Sequence, residues 1–327
     1  MPQPVLKPFS GGPVSFTVGP PPHWRSHRTV SLLMLESCMA FIPILLFLVV
    51  MHGIEGLRVP ALAAAVAVIT EVAVLRLQNR MVNVENLTAL HAGLLFGFML
   101  PISAPWWMVA LGAVLTITMG RAVFGGFGSN PLCAPLVAWA MLKVSWPGLM
   151  DIDSSMPYSL LADPLAQLKA FGLSAVATYD SWDGYGQLLL GQQLGAAGTA
   201  CGLAVLAGGV FLVVRGWVRP PIPVGFLIGV FLTAEIYHLI NPEVYASGVF
   251  HLLTGSVLFG AFFLAPDYAS SPVGRVPSLI FGLVAGWLVV IIRIYGVFPD
   301  GVAFAILLAN LLSPLLDLIR PKPFGRG

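Results

Sequence analysis

The chain of 327 residues carries little charge: Asp, Glu, Lys and Arg make up only 9% of it, sixteen basic residues against fourteen acidic, for a net +2. So small a balance offers no basic patch for nucleic acid, and what charge there is lies between apolar runs. Cysteine is scarce as well. Cys38, Cys133 and Cys201 are widely separated, sit in apolar runs and show no CxxC or Cys/His spacing, which reads them as small buried hydrophobes and excludes a zinc module. The first thirty residues are rich in Pro and Gly and lack a compact apolar core, so no cleavable signal peptide is expected. No catalytic residue and no metal-ligand set can be read from the chain.

What is abundant is apolar sequence. Hydrophobic residues reach 57% and the mean hydropathy is +0.90, far outside the balance of a soluble domain. The class is an all-α polytopic membrane protein. About ten transmembrane helices are expected, near 31–51, 59–77, 87–102, 106–121, 132–148, 194–214, 222–240, 248–265, 277–295 and 301–318. The third and fourth are short and separated only by "SAPW", the pattern of a tilted or broken pair.

With the N-terminus placed in the cytoplasm, twelve of the sixteen basic residues fall at cytoplasmic ends and four (Arg58, Lys143, Lys169, Arg293) outside. Both termini are therefore expected in the cytoplasm, with a polar segment around "DIDSSMPYSLLADPLAQLKAFG" facing outward. The expected organisation is a tail over 1–30, a five-helix repeat over 31–148, an outer loop over 149–193, a second five-helix repeat over 194–318 and a tail over 319–327.

The halves echo each other. "PALAAAVAVITEVAVL" from Pro60 and "PVGFLIGVFLTAEIYHL" from Pro223 each carry a Thr and then a Glu at nearly equal distances from the proline. "HAGLLFGFMLP" from His91 pairs with "HLLTGSVLFGAFFLAP" from His251, and Phe124 onward pairs loosely with Tyr295 onward. Five spans per half is an odd number, so the halves would be two inverted five-helix repeats, the plan of many transporters.

The informative residues are those that break the apolar runs. Glu71 and Glu235 lie inside spans, where a carboxylate must face the bundle interior, find a cation or stay protonated. They are candidates for an ion path; the competing reading is that each reaches interfacial water, Glu71 beside Arg76 and Glu235 beside His238. Glu36, near the start of the first span, is expected at the interface. "GRAVFGGFGSNPLCAP" places Arg121, Gly125, Gly126, Gly128 and Asn130 together, where exposed N–H groups beside an arginine would suit a phosphate or a polar ring edge, or where glycines serve packing alone.

That segment, with "MLPISAPWWMVALGA" from Met99, "HLLTGSVLFGAFFLAPDYASSP" from His251, "GVFPDGVAFAILLANLLSPLLD" from Gly296 and "GPPPHWRSHRTVSLLM" from Gly19, resembles the RnfD/NqrB family, and the likeness runs in order along nearly the whole chain. The short N-terminal tail is closer to RnfD. The resemblance implies a subunit of an Rnf complex in the bacterial inner (cytoplasmic) membrane, surrounded by lipid and by other Rnf subunits. Such a complex moves electrons between NADH and ferredoxin and couples this to Na+ or H+ movement. It also implies flavin: an FMN esterified to a threonine of an outward "SGATPL" loop, and in NqrB-like arrangements a riboflavin among the spans.

At the acceptor position the chain departs from the family. Aligned on "PLAQLK", the motif becomes Leu161-Ala162-Asp163-Pro164-Leu165, and a carboxylate cannot make the threonine phosphoester. Its charge would repel a phosphate unless Lys169, a helix N-terminus or another subunit compensates. The options are FMN held noncovalently, attachment elsewhere (Ser154 and Ser155 are near, Thr178 more distant), or no FMN. Asp267 matches the aspartate of the family's "TDP", without its neighbours, and joins the glycine-rich junction as a candidate ring contact. Two other classes stay open: an inverted-repeat solute transporter or channel, and a structural subunit whose flavin site has decayed.

Overall fold

The computed structural model describes residues 29–82, 84–151 and 163–319; these are mostly helical, joined by turns and loops, with no strand among them. Four stretches are long and apolar enough to cross a membrane: Val30–Leu77, Trp106–Phe124, Pro221–Ile240 and Arg275–Tyr295. Shorter apolar helices lie between them, so the chain is a multi-pass membrane protein.

The opening run is helix α1 (Val30–Met39) and α2 (Ile42–His52), then a 3-10 turn over Gly53–Leu57 and α3 (Arg58–Leu77). Pro43 in the first turn of α2 explains the break, because its ring clashes with the carbonyl four residues back and it has no N–H to give. Next come α4 (Thr88–Phe98), α5 (Trp106–Thr118) and α6 (Ala134–Ser145). Three small helices follow in the polar segment, α7 (Pro164–Phe171), α8 (Leu173–Val176) and α9 (Trp182–Leu189). The remainder is α10 (Gly202–Val214), α11 (Pro221–Ile240), α12 (Gly248–Leu253), α13 (Val257–Phe259) running into a π turn over Gly260–Leu264, α14 (Arg275–Tyr295) and α15 (Val302–Leu316).

Three expected spans differ from their sequence limits. The run at 87–102 contains only the 11-residue α4, about 16 Å long and so about half a bilayer's hydrocarbon thickness. The run at 194–214 becomes helical only at Gly202. The run at 248–265 is interrupted at Thr254-Gly255-Ser256, where Gly255 has φ +68°, a left-handed conformation that glycine adopts without a Cβ clash. Glu36 is buried by a partner on another helix. It is 5% exposed and accepts from the Arg215 guanidinium and from Trp217 Nε1, while the Arg215 side chain stays half exposed, so the pair sits at the rim of the bundle.

Lipid gives helices no hydrophobic reason to associate, so close backbone approach and van der Waals contact must hold them. Here small residues provide it. Gly225 and Gly229 of α11 face Gly282 and Gly286 of α14, and a Cβ on Gly286 would collide with the Phe226 carbonyl oxygen. In the first half Gly93 and Gly97 of α4 lie against Ala63, Ala64 and Pro60 of α3, and a Cβ on either would approach within 2.7 Å. The contacts run start to end, so α3 and α4 are antiparallel.

The two ends of the bundle can be told apart along α11. Its start neighbours the segment after the π turn, since Arg219 donates to the Val273 carbonyl, and its end reaches Gly248 through Glu235. Twenty residues separate these ends by about 30 Å. Between them the core is aromatic: Phe41 packs on Phe98 and Phe263 at 5.1 Å, and Phe259 on Phe98 at 6.2 Å and on Phe263 at 5.2 Å. All four rings are buried.

Gly286→Leu is expected to destabilise the protein by about 1–3 kcal/mol or more through overpacking, read as a lower thermal unfolding midpoint in detergent. Leu232→Ala, on the half-exposed outer face of the neighbouring helix, serves as the near-neutral control.

Candidate functional site

The start end of α11 gathers residues from four elements. Glu71, near the end of α3, accepts a hydrogen bond at 3.3 Å from the Thr88 hydroxyl at the first residue of α4. Its partner is thus Thr88 and not Arg76. Arg121, 7% exposed, donates to the Thr88 carbonyl at 3.0 Å and lies within electrostatic reach of Glu71 and Asp267. Asn130 donates to the Leu132 carbonyl at 2.9 Å and to Asp267 at 3.4 Å, and Ser270 donates to the same carboxylate at 2.9 Å. Arg121 and Asn130, named from one motif, and Asp267, named from another, therefore meet with Glu71 in one cluster. Gly125, Gly126 and Gly128 shape the adjoining loop, all with positive φ (109°, 114° and 88°), and Arg80 ties it down through the Gly125 carbonyl at 3.0 Å. Gly125 and Gly128 are exposed, while the Arg121 guanidinium is turned inward.

The opposite end carries a counterpart. Glu235, near the end of α11, accepts from the Gly248 N–H at 3.0 Å, the first residue of α12. Arg293, 6% exposed, donates to the carbonyls of His251 (2.7 Å) and Thr254 (2.9 Å) and to Asp300 (3.2 Å). In each half a carboxylate reaches the start of a short helix, a buried arginine grips that helix by its carbonyls, and a buried histidine (His91, His251) lies three residues in. Even the preceding threonines agree: Thr70 and Thr233 each donate at 2.7 Å to the carbonyl four residues back.

The polar segment is docked on the second half by helix-end chemistry. Lys169 donates to the carbonyls of Arg293, Gly296 and Phe298, capping the C-terminal end of α14. Asp180 accepts from the Ser247 N–H (3.1 Å), the Ser247 hydroxyl and the Tyr185 hydroxyl, just before α12 begins. Burial alone would push the Asp180 carboxyl up; the bonds from Ser247 and Tyr185 outweigh it and hold the group below the usual carboxylate range. Burial likewise depresses the Lys169 ammonium.

Beneath this segment lies a small cavity of about 70 Å³, partly open to solvent. Asp163 and Leu165 line it, and Pro164 is buried beside them. Trp139, Lys143, Phe298 and Asp300 complete the walls, none of them singled out by the sequence pattern. Lys143 and Asp300 could have been noticed as charges at the ends of apolar spans; nothing local marks Trp139 or Phe298 among so many buried aromatics.

The FMN that the resemblance implies does not fit this cavity by its phosphate. Asp163 offers no hydroxyl, and its carboxylate caps α7, accepting from the Leu165 N–H at 3.0 Å. Lys169, the nearest compensating cation in sequence, is committed to α14. Ser154 and Ser155 lie outside the described residues. Thr178 accepts through its carbonyl from the Ser181 hydroxyl at 2.8 Å, within the turn before α9.

Residues 17–325 match the NQR2, RnfD, RnfE family. Over 308 residues the chain is 34% identical to the D component of the Na(+)-translocating ferredoxin:NAD(+) oxidoreductase complex of Acetobacterium woodii, covering 93% of each chain. It is 32% identical over 347 residues to the D component of the ion-translocating oxidoreductase complex of Cronobacter sakazakii, covering 95% of this chain and 99% of that protein. It is also 32% identical over 318 residues to the D component of the proton-translocating ferredoxin:NAD(+) oxidoreductase complex of Clostridium ljungdahlii, covering 95% and 96%.

The carboxylate of Asp180 contributes stability above the ordinary carboxylate pKa of 3.8 and loses it as the pH falls through the depressed folded value. Asp180→Ala is expected to raise amide hydrogen exchange at Ser247 several-fold at neutral pH, about 1 kcal/mol of local protection for this half-exposed group. The Gly248 amide, held by Glu235, is the internal reference.

Proposed function

The chain belongs to the NQR2, RnfD, RnfE family, and from that premise we propose that it is the RnfD-type membrane subunit of an Rnf complex. In this role it assembles with other Rnf subunits in the bacterial inner membrane, with both termini in the cytoplasm. The complex would transfer electrons between NADH and ferredoxin, coupled to movement of Na+ or H+; relatives named for each ion are about equally similar. We further infer ten crossings in two inverted halves, with α4 and α12–α13 as the short, broken third helix of each. The recurrence of carboxylate, short-helix start, histidine and arginine at opposite ends of the bundle supports this.

That recurrence is also the observation that carries the ion-path reading. Glu235 accepts from the backbone N–H that opens α12 and Glu71 from the hydroxyl of the residue that opens α4, so each acid stands by the partly positive end of a short helix. Glu71 and Glu235 thus stand at opposite ends of the bundle, where each could coordinate a cation or exchange a proton. The buried Phe41, Phe98, Phe259 and Phe263 close the middle, which favours ion movement coupled to a change of state over an open solute pore. A flavin, held without a covalent bond, would supply one- and two-electron chemistry in the complex; the second reading, a structural subunit without flavin, draws its support from Asp163.

Replacing Glu71 or Glu235 by Gln is expected to lower ion-coupled turnover of the assembled complex about tenfold while the complex still assembles; unchanged coupled turnover in both variants would remove them from the ion path. For the flavin, the purified complex is precipitated with acid. Yellow colour released to the supernatant fits noncovalent flavin, whereas colour that stays on this chain, or never appears, contradicts it.

A further inference from the structure

We propose that a second cavity, formed where the non-helical segment between α9 and α10 meets the end of α2, binds Na+ together with a few waters of its shell. Such a site joins Glu71 and Glu235 on the ion path of the proposed function, and its role in the complex rests on that reading.

The segment itself makes the cavity. Residues 190–201, "LGQQLGAAGTAC", are small or apolar apart from two glutamines and a threonine, yet they stay out of the helix, and 196–201 are buried. Non-helical backbone inside a membrane bundle is tolerated where protein satisfies it or where it lines a wet space. The far part is satisfied by protein: the N–H groups of Ala197 and Gly198 donate to the carbonyls of Leu100 and Phe98 at 2.9 and 2.8 Å. The near part is not. Among the described residues, the backbone groups of Gln193, Leu194 and Gly195 make no hydrogen bond, and all three residues line a cavity of about 120 Å³. That is room for about four waters, at roughly 30 Å³ each.

Two side chains add to the unused polar groups. Gln193 is 3% exposed, and its Nε2 faces the carbonyls of Leu188 (3.4 Å), Ala200 (3.2 Å) and Leu253 (3.2 Å), which fixes the orientation of the amide. Its Oε1 is buried with no partner. His52, the last residue of α2, also lines the cavity, and its Nδ1 is buried without a partner too.

The chemistry suits a hard cation of single charge. A buried acceptor left unpaired costs about 1–3 kcal/mol, so the Gln193 oxygen calls for a donor or a positive charge. Leu48, Met51 and His52 bring the C-terminal end of α2 to the cavity, and a helix C-terminus carries partial negative charge. Unwound carbonyls beside helix ends coordinate Na+ in transporter bundles. No Lys, Arg, Asp or Glu lines the space, so nothing repels a single positive charge and nothing offsets the second charge of a divalent ion. Arg58, which bonds the Ile102 carbonyl of the wall at 3.1 Å, is exposed to solvent, where its charge is screened.

The experiment uses the purified detergent-solubilised complex, exchanged into choline chloride, and follows amide hydrogen exchange by mass spectrometry after addition of NaCl, MgCl2 or more choline chloride at equal ionic strength. NaCl is expected to slow exchange across residues 191–201 about threefold or more, with α14 unchanged, and the other two salts to leave the segment as it was. Gln193→Met should abolish the effect, but it also strips the three bonds of the amide. His52→Leu leaves those bonds intact and is the deciding variant; it should raise the Na+ concentration for half the effect about three- to tenfold, through loss of a partner for the shell water.

Equal protection by choline chloride would reduce the cavity to a water site and overturn the proposal. Stronger protection by Mg2+, or a Na+ effect that ignores both variants, would overturn it as well. No Na+ effect, with coupled turnover still lowered in Glu71→Gln and Glu235→Gln, removes this site and leaves the ion path standing. A Na+ effect with turnover unchanged in both of those variants removes the ion path and leaves the site.

Discussion

A helix that begins or ends inside a membrane bundle leaves backbone N–H and C=O groups where no water can reach them, and most of the chemistry in this protein answers that constraint. α4 and α12 are too short to span. At α12, Glu235 accepts from the first N–H and Arg293 donates to the His251 and Thr254 carbonyls at the helix end; at α4, Glu71 and Arg121 both meet Thr88, through its hydroxyl and its carbonyl. The residues that look most functional, acids and arginines in apolar surroundings, are therefore also the ones that make broken helices tolerable.

The polar segment applies the same rule at the surface. Asp163 caps α7, Asp180 meets the backbone before α12, and Lys169 covers the last carbonyls of α14. These bonds fasten the segment to the second half and set the roof of the cavity.

Packing makes room for these short helices. Where α11 and α14 touch, facing glycines bring backbones into contact, and where α4 meets α3 the same is done by glycine against alanine. The middle, beside the short α4 and the interrupted α12–α13, is filled by the rings of Phe41, Phe98, Phe259 and Phe263. Side chains there pack against side chains, while the polar groups are kept to the two ends.

By itself the sequence determined the membrane class, the approximate positions of the apolar helices, and the matched pairs Glu71 with Glu235 and His91 with His251, because hydrophobicity and repetition are local properties of a chain. It also exposed Asp163, since one residue type at an aligned position needs no coordinates. Helix breaks were less legible: Pro43 and Gly255 signal them, but whether a short apolar run spans or stops depends on what caps it. Only the tertiary structure decided which charges meet. Glu36 with Arg215, 179 residues apart, and Asn130 with Asp267, 137 apart, are brought together by helix packing. The cost of an unpaired charge or helix end in a low dielectric then selects the arrangement, and that cost is not written in any single segment.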